Sequence, residues 1–479
     1  MQRRFQDLPA LPGAGLTSLY TRTMLGYLLI MGVLWLFGLE GIYGHPTPFY
    51  ALYYPALTSF SALGWQIPCI IVFFAGLAAL RRWLLPRLAS ENTFTTKETW
   101  HLLLGIFVFS VLFAATVAMI RGGFHGIEQA YDRQAYEYVG DIGKTSSIRQ
   151  LFAQYTDPRF HQNLSMHAKV HPPGPIALLW LMSYIGMFIP TTQAAFLSVA
   201  TILFSCTALV PLYFWTRLST NQRTALLACV CYSLIPSIVL FTATSADALF
   251  TPFTLATLYC FERAIRQRSV PSALLAGVGY GILIHLKFSL IGMGAYFGLV
   301  GLWMLRCPET RRNVIQTAIL MTIGLTAVVL GIYWWSGFNI VESFHLAKGQ
   351  FDLDQMHLDE LTPRLPAWTY RILNPACWFF FAGIPVSVLA LREFFSSEDK
   401  TRALWWIFAL MLLVLNLLYL ARGEGERSAL YLFPFLVIPA AHQLGRALER
   451  QGNAKPILAT VCFLAFQCWF IETVFYTYW

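Results

Sequence analysis

Charge is what this sequence has least of. Only 12% of its 479 residues are Asp, Glu, Lys or Arg, against about 25% in an ordinary soluble domain. With 57% hydrophobic residues and a mean hydropathy of +0.57, that deficit excludes a soluble core with a single anchor. There is no low-complexity segment and no evident internal repeat. This argues against the repeated halves of many transporters. None of the nine cysteines forms a CxxC pair. Cys69, Cys206, Cys229, Cys231, Cys260, Cys377, Cys462 and Cys468 fall within apolar runs and read as small packing residues, not as disulfides or metal ligands. No small-residue cleavage site follows the first apolar run, so no cleavable signal peptide is expected.

What is present is a succession of apolar runs, each a candidate membrane span. They lie at about 23–43, 64–81, 101–120, 193–216, 223–241, 246–264, 272–286, 288–306, 313–335, 374–392, 403–421, 428–445 and 456–475. The expectation is an all-α polytopic membrane protein with about thirteen crossings. The net charge of +9 is not a nucleic-acid signal. Lys and Arg concentrate in alternate short loops, the positive-inside pattern, which sets the N-terminus in the cytoplasm. The run from Pro172 to Pro190 resists this order. A full crossing there would put the later basic loops outside, so it is expected to be re-entrant or to lie along the outer interface.

The unusual polar residues then gather on the outer face, in segments 121–171 and 336–373. In the first, Tyr131, Ala135 and Tyr138, then Ile148, Phe152 and Tyr155, recur at i, i+4 and i+7, which predicts short interfacial helices. Glu128 and Asp132 share one helix face, and Asp141 comes behind Gly140. Any of the three is either a general base for an acceptor hydroxyl or part of a solvated face. His167, Lys169 and His171 alternate, so an extended segment would point them one way. Pro172 and Pro173 stiffen the entry to the next apolar run, and Gly174 allows close approach to its backbone. This cluster is either a polar-substrate site or a rigid helix start. Asn163-Leu164-Ser165 matches a glycosylation acceptor by chance or by use.

These residues resemble GT-C glycosyltransferases, nearest to the protein O-mannosyltransferase and aminoarabinose-transferase branch. His171-Pro172-Pro173-Gly174-Pro175 is similar to that branch's His-Pro-Pro motif, without its Leu. Ser245-Ala246-Asp247-Ala248-Leu249-Phe250 and Gly281-Ile282-Leu283-Ile284-His285-Leu286-Lys287 resemble two further motifs, with Ala246 where Pro is common. The likeness covers roughly 101–306. Two spans precede the acidic loop beyond the family's usual one, and the loop acids are spread out instead of paired.

The resemblance implies a GT-C-like bundle. Residues 1–100 would be a cytoplasmic tail with two added spans, 101–335 the catalytic module, and 336–479 the second outer loop with the last spans. It implies transfer of a sugar, with inversion, from a polyprenyl-phosphate donor to a glycan, lipid or protein acceptor outside the cytoplasm. The setting would be a bacterial inner membrane, with membrane lipids but no nucleic acid as partners. Glu128, Asp132 or Asp141 would be the base. Lys287, Arg422, Arg427 and Lys169 would hold the donor phosphate, and His167, His171 and Asp247 would line the cavity. Lys287 could instead snorkel to the interface, Glu424 and Glu426 could simply neutralise Arg422 and Arg427, and Asp247 could cap a helix. The acidic stretch Asp352 to Glu360, which includes His357, would shape the acceptor site or hold a divalent cation, the one cofactor considered. The alternatives are a multi-pass transporter or lipid-carrier flippase, and a non-catalytic assembly protein.

Overall fold

A computed structural model of the chain describes residues 13–36, 64–90, 94–132, 138–361, 367–396, 399–418, 425–475 and 477. Among these the elements are helices and no strand occurs. The loop 44–63 and the residues Arg422 and Glu424 lie outside the described residues. Gln66–Ala89, Thr96–Gly122, Gln193–Ser219, Pro308–Ser336, Thr401–Leu418 and Lys455–Val474 are long and apolar enough to cross a membrane. Two bent helix pairs raise that number from six to eight. The protein is an all-α integral membrane protein.

Most of the expected apolar segments are helices at the expected places, but not all are full crossings. Val270–Leu286 has 17 residues, about 26 Å at 1.5 Å per residue, against a hydrocarbon core of about 30 Å. The segment 374–392, expected as one span, is two helices, Tyr370–Phe381 and Ile384–Ser396, bent by 111°. Gly383 makes the break with φ +89. A Cβ there would meet Leu464 Cδ2 at 2.2 Å. Gln467 closes the break from a neighbouring helix. Its amide oxygen accepts from Ile384 N at 2.9 Å and its amide nitrogen donates to Phe380 O at 2.9 Å. The problematic run after Pro172 is the helix Gly174–Gly186. Its 13 residues reach about 20 Å, against a hydrocarbon core of about 30 Å. Its first half is buried, while Leu181, Ile185 and the succeeding Met187 and Phe188 are exposed.

The chain divides into two compact units interleaved in sequence. The first comprises Met1–Gly126, Leu209–Thr242 and Arg364–Tyr478. There Glu393, wholly buried, accepts from His442 Nδ1 at 2.8 Å and from Arg446 at 3.4 Å. The second holds Ile127–Ala208 and Ala243–Pro363. Its backbone is Val270–Leu286 packed closely on Pro308–Ser336. A Cβ on Gly277 would lie 2.2 Å from Met321 O, and one on Gly324 would lie 2.5 Å from Leu274 O. Glycine at these positions lets two membrane helices touch backbone to backbone, and the packing fixes the end of the helix that leads into Lys287.

Candidate active site

The site is built within the second unit, from the loop 138–171 and the turns at 245–249 and 286–292. Lys287 sits in extended backbone, φ −159 and ψ 126, at the break between Val270–Leu286 and the turn Phe288–Gly292. Its ammonium donates to Asp247 Oδ1 at 2.8 Å, and both residues are buried. An ammonium at this depth is retained only when paired. Snorkelling is therefore not its arrangement. Asp247 does not cap its helix either. Ser245 does, with its hydroxyl accepting from Asp247 N at 3.2 Å, because a serine at that position reaches a backbone donor two residues on and leaves the carboxylate for Lys287.

Gly174 joins the His-Pro-Pro segment to this turn. A Cβ at Gly174 would lie 2.1 Å from the carbonyl oxygen of His285, so the approach expected at this glycine is made to the residue two before Lys287. The contact is to backbone and cannot swing away. Gly174→Ala therefore carries an overpacking penalty of about 1–3 kcal/mol and displaces the turn that holds Lys287. Thermal unfolding in detergent should show the stability loss, together with a loss of activity larger than that of Gly337→Ala. Gly337 has nothing within 4 Å of its would-be Cβ, so that variant reports backbone strain at φ +78 alone.

Three rings continue the joint. His285 lies 5.9 Å from Phe338, which lies 6.2 Å from Tyr155. Tyr155 is wholly buried, and its hydroxyl reaches the carbonyls of Ala168 at 2.7 Å and His171 at 3.0 Å. Burial drives its pKa well above that of a free tyrosine, and the nearby Asp141 charge adds to the rise, so it remains a donor. Burial likewise pushes His161 below the usual imidazole range, aided by Lys169; the backbone of Tyr155 and Lys169 partly offsets this.

The loop itself departs from the sequence expectation in two ways. Met166–Lys169 is a helical turn, not an extended strand, so alternation does not align the three basic side chains. The cause is tertiary. Tyr155 holds Ala168 O, and Ser165 is fixed on Asp141, so the backbone closes. The i, i+4 pair His167 and His171 instead flanks one ring, Tyr138, at 6.1 and 6.0 Å. Secondly, Asp141 is not a solvent-facing loop acid. It is wholly buried and accepts from Lys144 Nζ at 2.7 Å, Ser165 N at 3.0 Å and Ser165 Oγ at 2.6 Å. A carboxylate so engaged is an anchor for the turn, its lone pairs already taken by those donors. The same bond commits the hydroxyl of the Asn163-Leu164-Ser165 tripeptide.

Asp132 and Glu128 lie on Phe124–Asp132, a helix that begins before the one expected around 131–138. Residues 133–137, including Ala135, lie outside the described residues. Asp132 is exposed and Glu128 half-buried. Tyr131 shares a hydrogen bond with Thr201, 2.8 Å away, and the helix carrying Thr201, Gln193–Cys206, packs on the Ala246–Leu249 turn of Asp247. One helix thus supports both carboxylates' elements. On Phe124–Asp132, His125, Glu128 and Asp132 bring ligand atoms within 4.8 Å of one another. An imidazole with two carboxylates suits a divalent ion, although exposed acidic faces commonly adopt this spacing without one. The acids of 352–360 form no such group among the described residues. They lie on Ile340–Leu361, where Asp352 pairs with Lys348 at 2.5 Å. Arg427 is buried in the first unit, on the short helix Gly425–Ser428. There Glu426 O accepts from Ser237 Oγ at 2.6 Å and Glu426 Oε2 faces Cys377 Sγ at 3.4 Å. The solvated turn expected for Glu426 and Arg427 is thus an interior one.

Residues 170–335, about a third of the chain, match the family model described as dolichyl-phosphate-mannose-protein mannosyltransferase. The matched stretch holds the His-Pro-Pro segment, Asp247 and Lys287, and it bears out the resemblance to GT-C superfamily membrane glycosyltransferases. No curated protein matches the chain. Among solved structures, the chain is similar to the Archaeoglobus fulgidus oligosaccharyltransferase tethered with an acceptor peptide (12% identity, TM-score 0.48, 79% of this chain and 55% of that one). It is also similar to the S. cerevisiae protein O-mannosyltransferase Pmt1-Pmt2 complex bound to the sugar donor (17% identity, TM-score 0.33, 59% and 36%). The chain thus spans about half, or less, of the length of these proteins.

Proposed function

We propose that this protein is a glycosyltransferase that moves a sugar from a polyprenyl-phosphate carrier to an acceptor at the extracytoplasmic face, inverting the anomeric carbon. The observation that carries the reading is the buried Asp247–Lys287 pair, set against the Gly174–His285 contact inside the matched stretch. A leaving phosphate develops negative charge, and a preorganised cation beside it lowers the barrier. Asp247 takes one N–H of the Lys287 ammonium, and the other two are directed at phosphate oxygens. On the acceptor side, Asp132, with Glu128 as its neighbour on the helix, takes the hydroxyl proton. The oxygen attacks the anomeric carbon opposite the phosphate, the C–O bond to phosphate breaks, and the carrier leaves as the phosphate. Asp141 is left out of the chemistry and positions the turn.

The test is a panel of radiolabelled polyprenyl-phosphate sugars, mannose first because of the matched family, with purified protein and membrane-extract acceptors. Label should pass from one carrier into an acceptor that is stable to mild acid. Translocation of a labelled carrier across vesicles without cleavage would replace the transferase reading with the flippase one.

A further inference from the structure

Lys287 interrupts a helix, and such an interruption has to be held from outside. The backbone around it is tied by Lys287 N to Leu283 O at 3.0 Å and by Leu290 N to Lys287 O at 3.1 Å. The turn Phe288–Gly292 has no side-chain cap. Tyr280 fastens its far end, its hydroxyl donating to Ile291 O at 2.7 Å. The near end, which carries Lys287, is met by rings. Phe338 lies 5.9 Å from His285, two residues before Lys287. Phe344 lies 5.2 Å from Phe288, one residue after it, edge-on at 80°. Aromatic pairs have preferred geometries, so they restrict orientation as well as distance.

Both rings come from one short stretch, and all of these residues lie in the second unit. Where Pro308–Ser336 ends, Ser336 Oγ accepts from Phe338 N at 3.2 Å. Asn339 Oδ1 then accepts from Val341 N at 3.0 Å, at the start of Ile340–Leu361. A capped helix start fixes the entering chain to the helix, so the contacts before and after Lys287 are joined to each other. Phe338 also meets Phe152 at 5.3 Å and Tyr155 at 6.2 Å, and the Tyr155 hydroxyl holds the carbonyls of Ala168 and His171. Phe338 is 2% exposed, a core residue, but Phe344 is 40% exposed. The Phe344 ring can therefore be exchanged at small cost to the fold.

We infer that Phe338 and Phe344 are positioning residues that clasp the Lys287 turn and hold it in register with the 138–171 loop. The role in turnover rests on the transferase reading; the clasp itself does not. Hydrogen exchange of the fragment 285–292 and donor turnover are measured on wild type, Phe344→Leu, Phe344→Tyr and Phe395→Leu. Phe395 is the control, because it forms an edge-on pair with Trp406 at 6.1 Å in the first unit. Both leucine variants lose one such pair and should show the same small fall in unfolding temperature. Only Phe344→Leu should exchange the 285–292 amides faster, by about two- to tenfold, the size of one aromatic pair. It should lower kcat by a similar factor at an unchanged donor KM. The lysine charge stays beside the phosphate, while its alignment, which counts as charge develops, is loosened. Phe344→Tyr keeps the ring and should restore both. Exchange no faster than in Phe395→Leu would overturn the clasp, and faster exchange at wild-type kcat would overturn the positioning role. If the wild-type protein transfers no sugar from any polyprenyl phosphate, the transferase reading fails, and the exchange result alone keeps or discards the clasp.

Discussion

Lys287→Met loses about 3–5 kcal/mol of stability and all detectable transfer, whereas Lys287→Met combined with Asp247→Leu regains most of the stability and none of the transfer. The reason lies in how the pair is held. Both side chains are buried, 2.8 Å apart, at the end of a helix clamped by Gly277 against Met321 O. Removing the lysine alone takes the cationic partner from a buried carboxylate, and breaking a buried pair from one side costs about that amount. Removing both charges and filling the space with apolar atoms is close to neutral in comparable cases. A purely structural pair would therefore be replaceable. A pair whose ammonium also meets the donor phosphate would not be, since no apolar side chain stabilises the charge that develops there. Unfolding temperature in detergent and donor turnover, measured on the same preparations, separate the two. Wild-type transfer by the double variant would remove Lys287 from the chemistry.

The contrast between what was legible in the chain and what was not tracks sequence distance. Apolar runs and alternating basic loops are local signals, so most helices fall where hydropathy puts them. Lys287 was conspicuous for the same reason, as a charge between apolar runs. Its partner was not, because Asp247 is forty residues away and a serine two positions earlier takes over the capping that local rules assign to the acid. The loop misled in the same manner. Spacing made His167, Lys169 and His171 a strand face, but the Asp141–Ser165 and Tyr155–Ala168 bonds, which span 24 and 13 residues, close that segment into a turn. Gly383 is one of 33 glycines, and only the Gln467 side chain from the last long helix turns it into a break of 111°.

The loop carboxylates give the second large effect. Asp132→Asn should lower kcat by about 10²–10⁴, the usual contribution of a positioned general base, or about 3–5 kcal/mol of barrier, with no change in unfolding temperature. Its side chain is exposed at the end of Phe124–Asp132, so exchanging a carboxylate oxygen for an amide leaves the packing alone. Asp141→Asn should do the reverse. Asn at 141 turns an NH₂ group toward donors, the Lys144 ammonium or the Ser165 N–H and O–H, and loses charge-assisted bonds of about 1.5–3 kcal/mol each. The unfolding temperature should fall, and kcat should fall only as far as the loosened 166–169 turn displaces His167. Glu128→Gln, one turn back on the same helix, decides between the two helix acids. If Asp132 is the base, Glu128→Gln retains most of kcat, because only one carboxylate can reach a given acceptor oxygen. If instead Asp141→Asn abolished turnover at an unchanged unfolding temperature while Asp132→Asn stayed active, the buried acid would be the base. Its three donors would then have to release it in the substrate complex, a rearrangement that Ser165→Ala, by removing the 2.6 Å hydroxyl bond, should make easier and therefore faster.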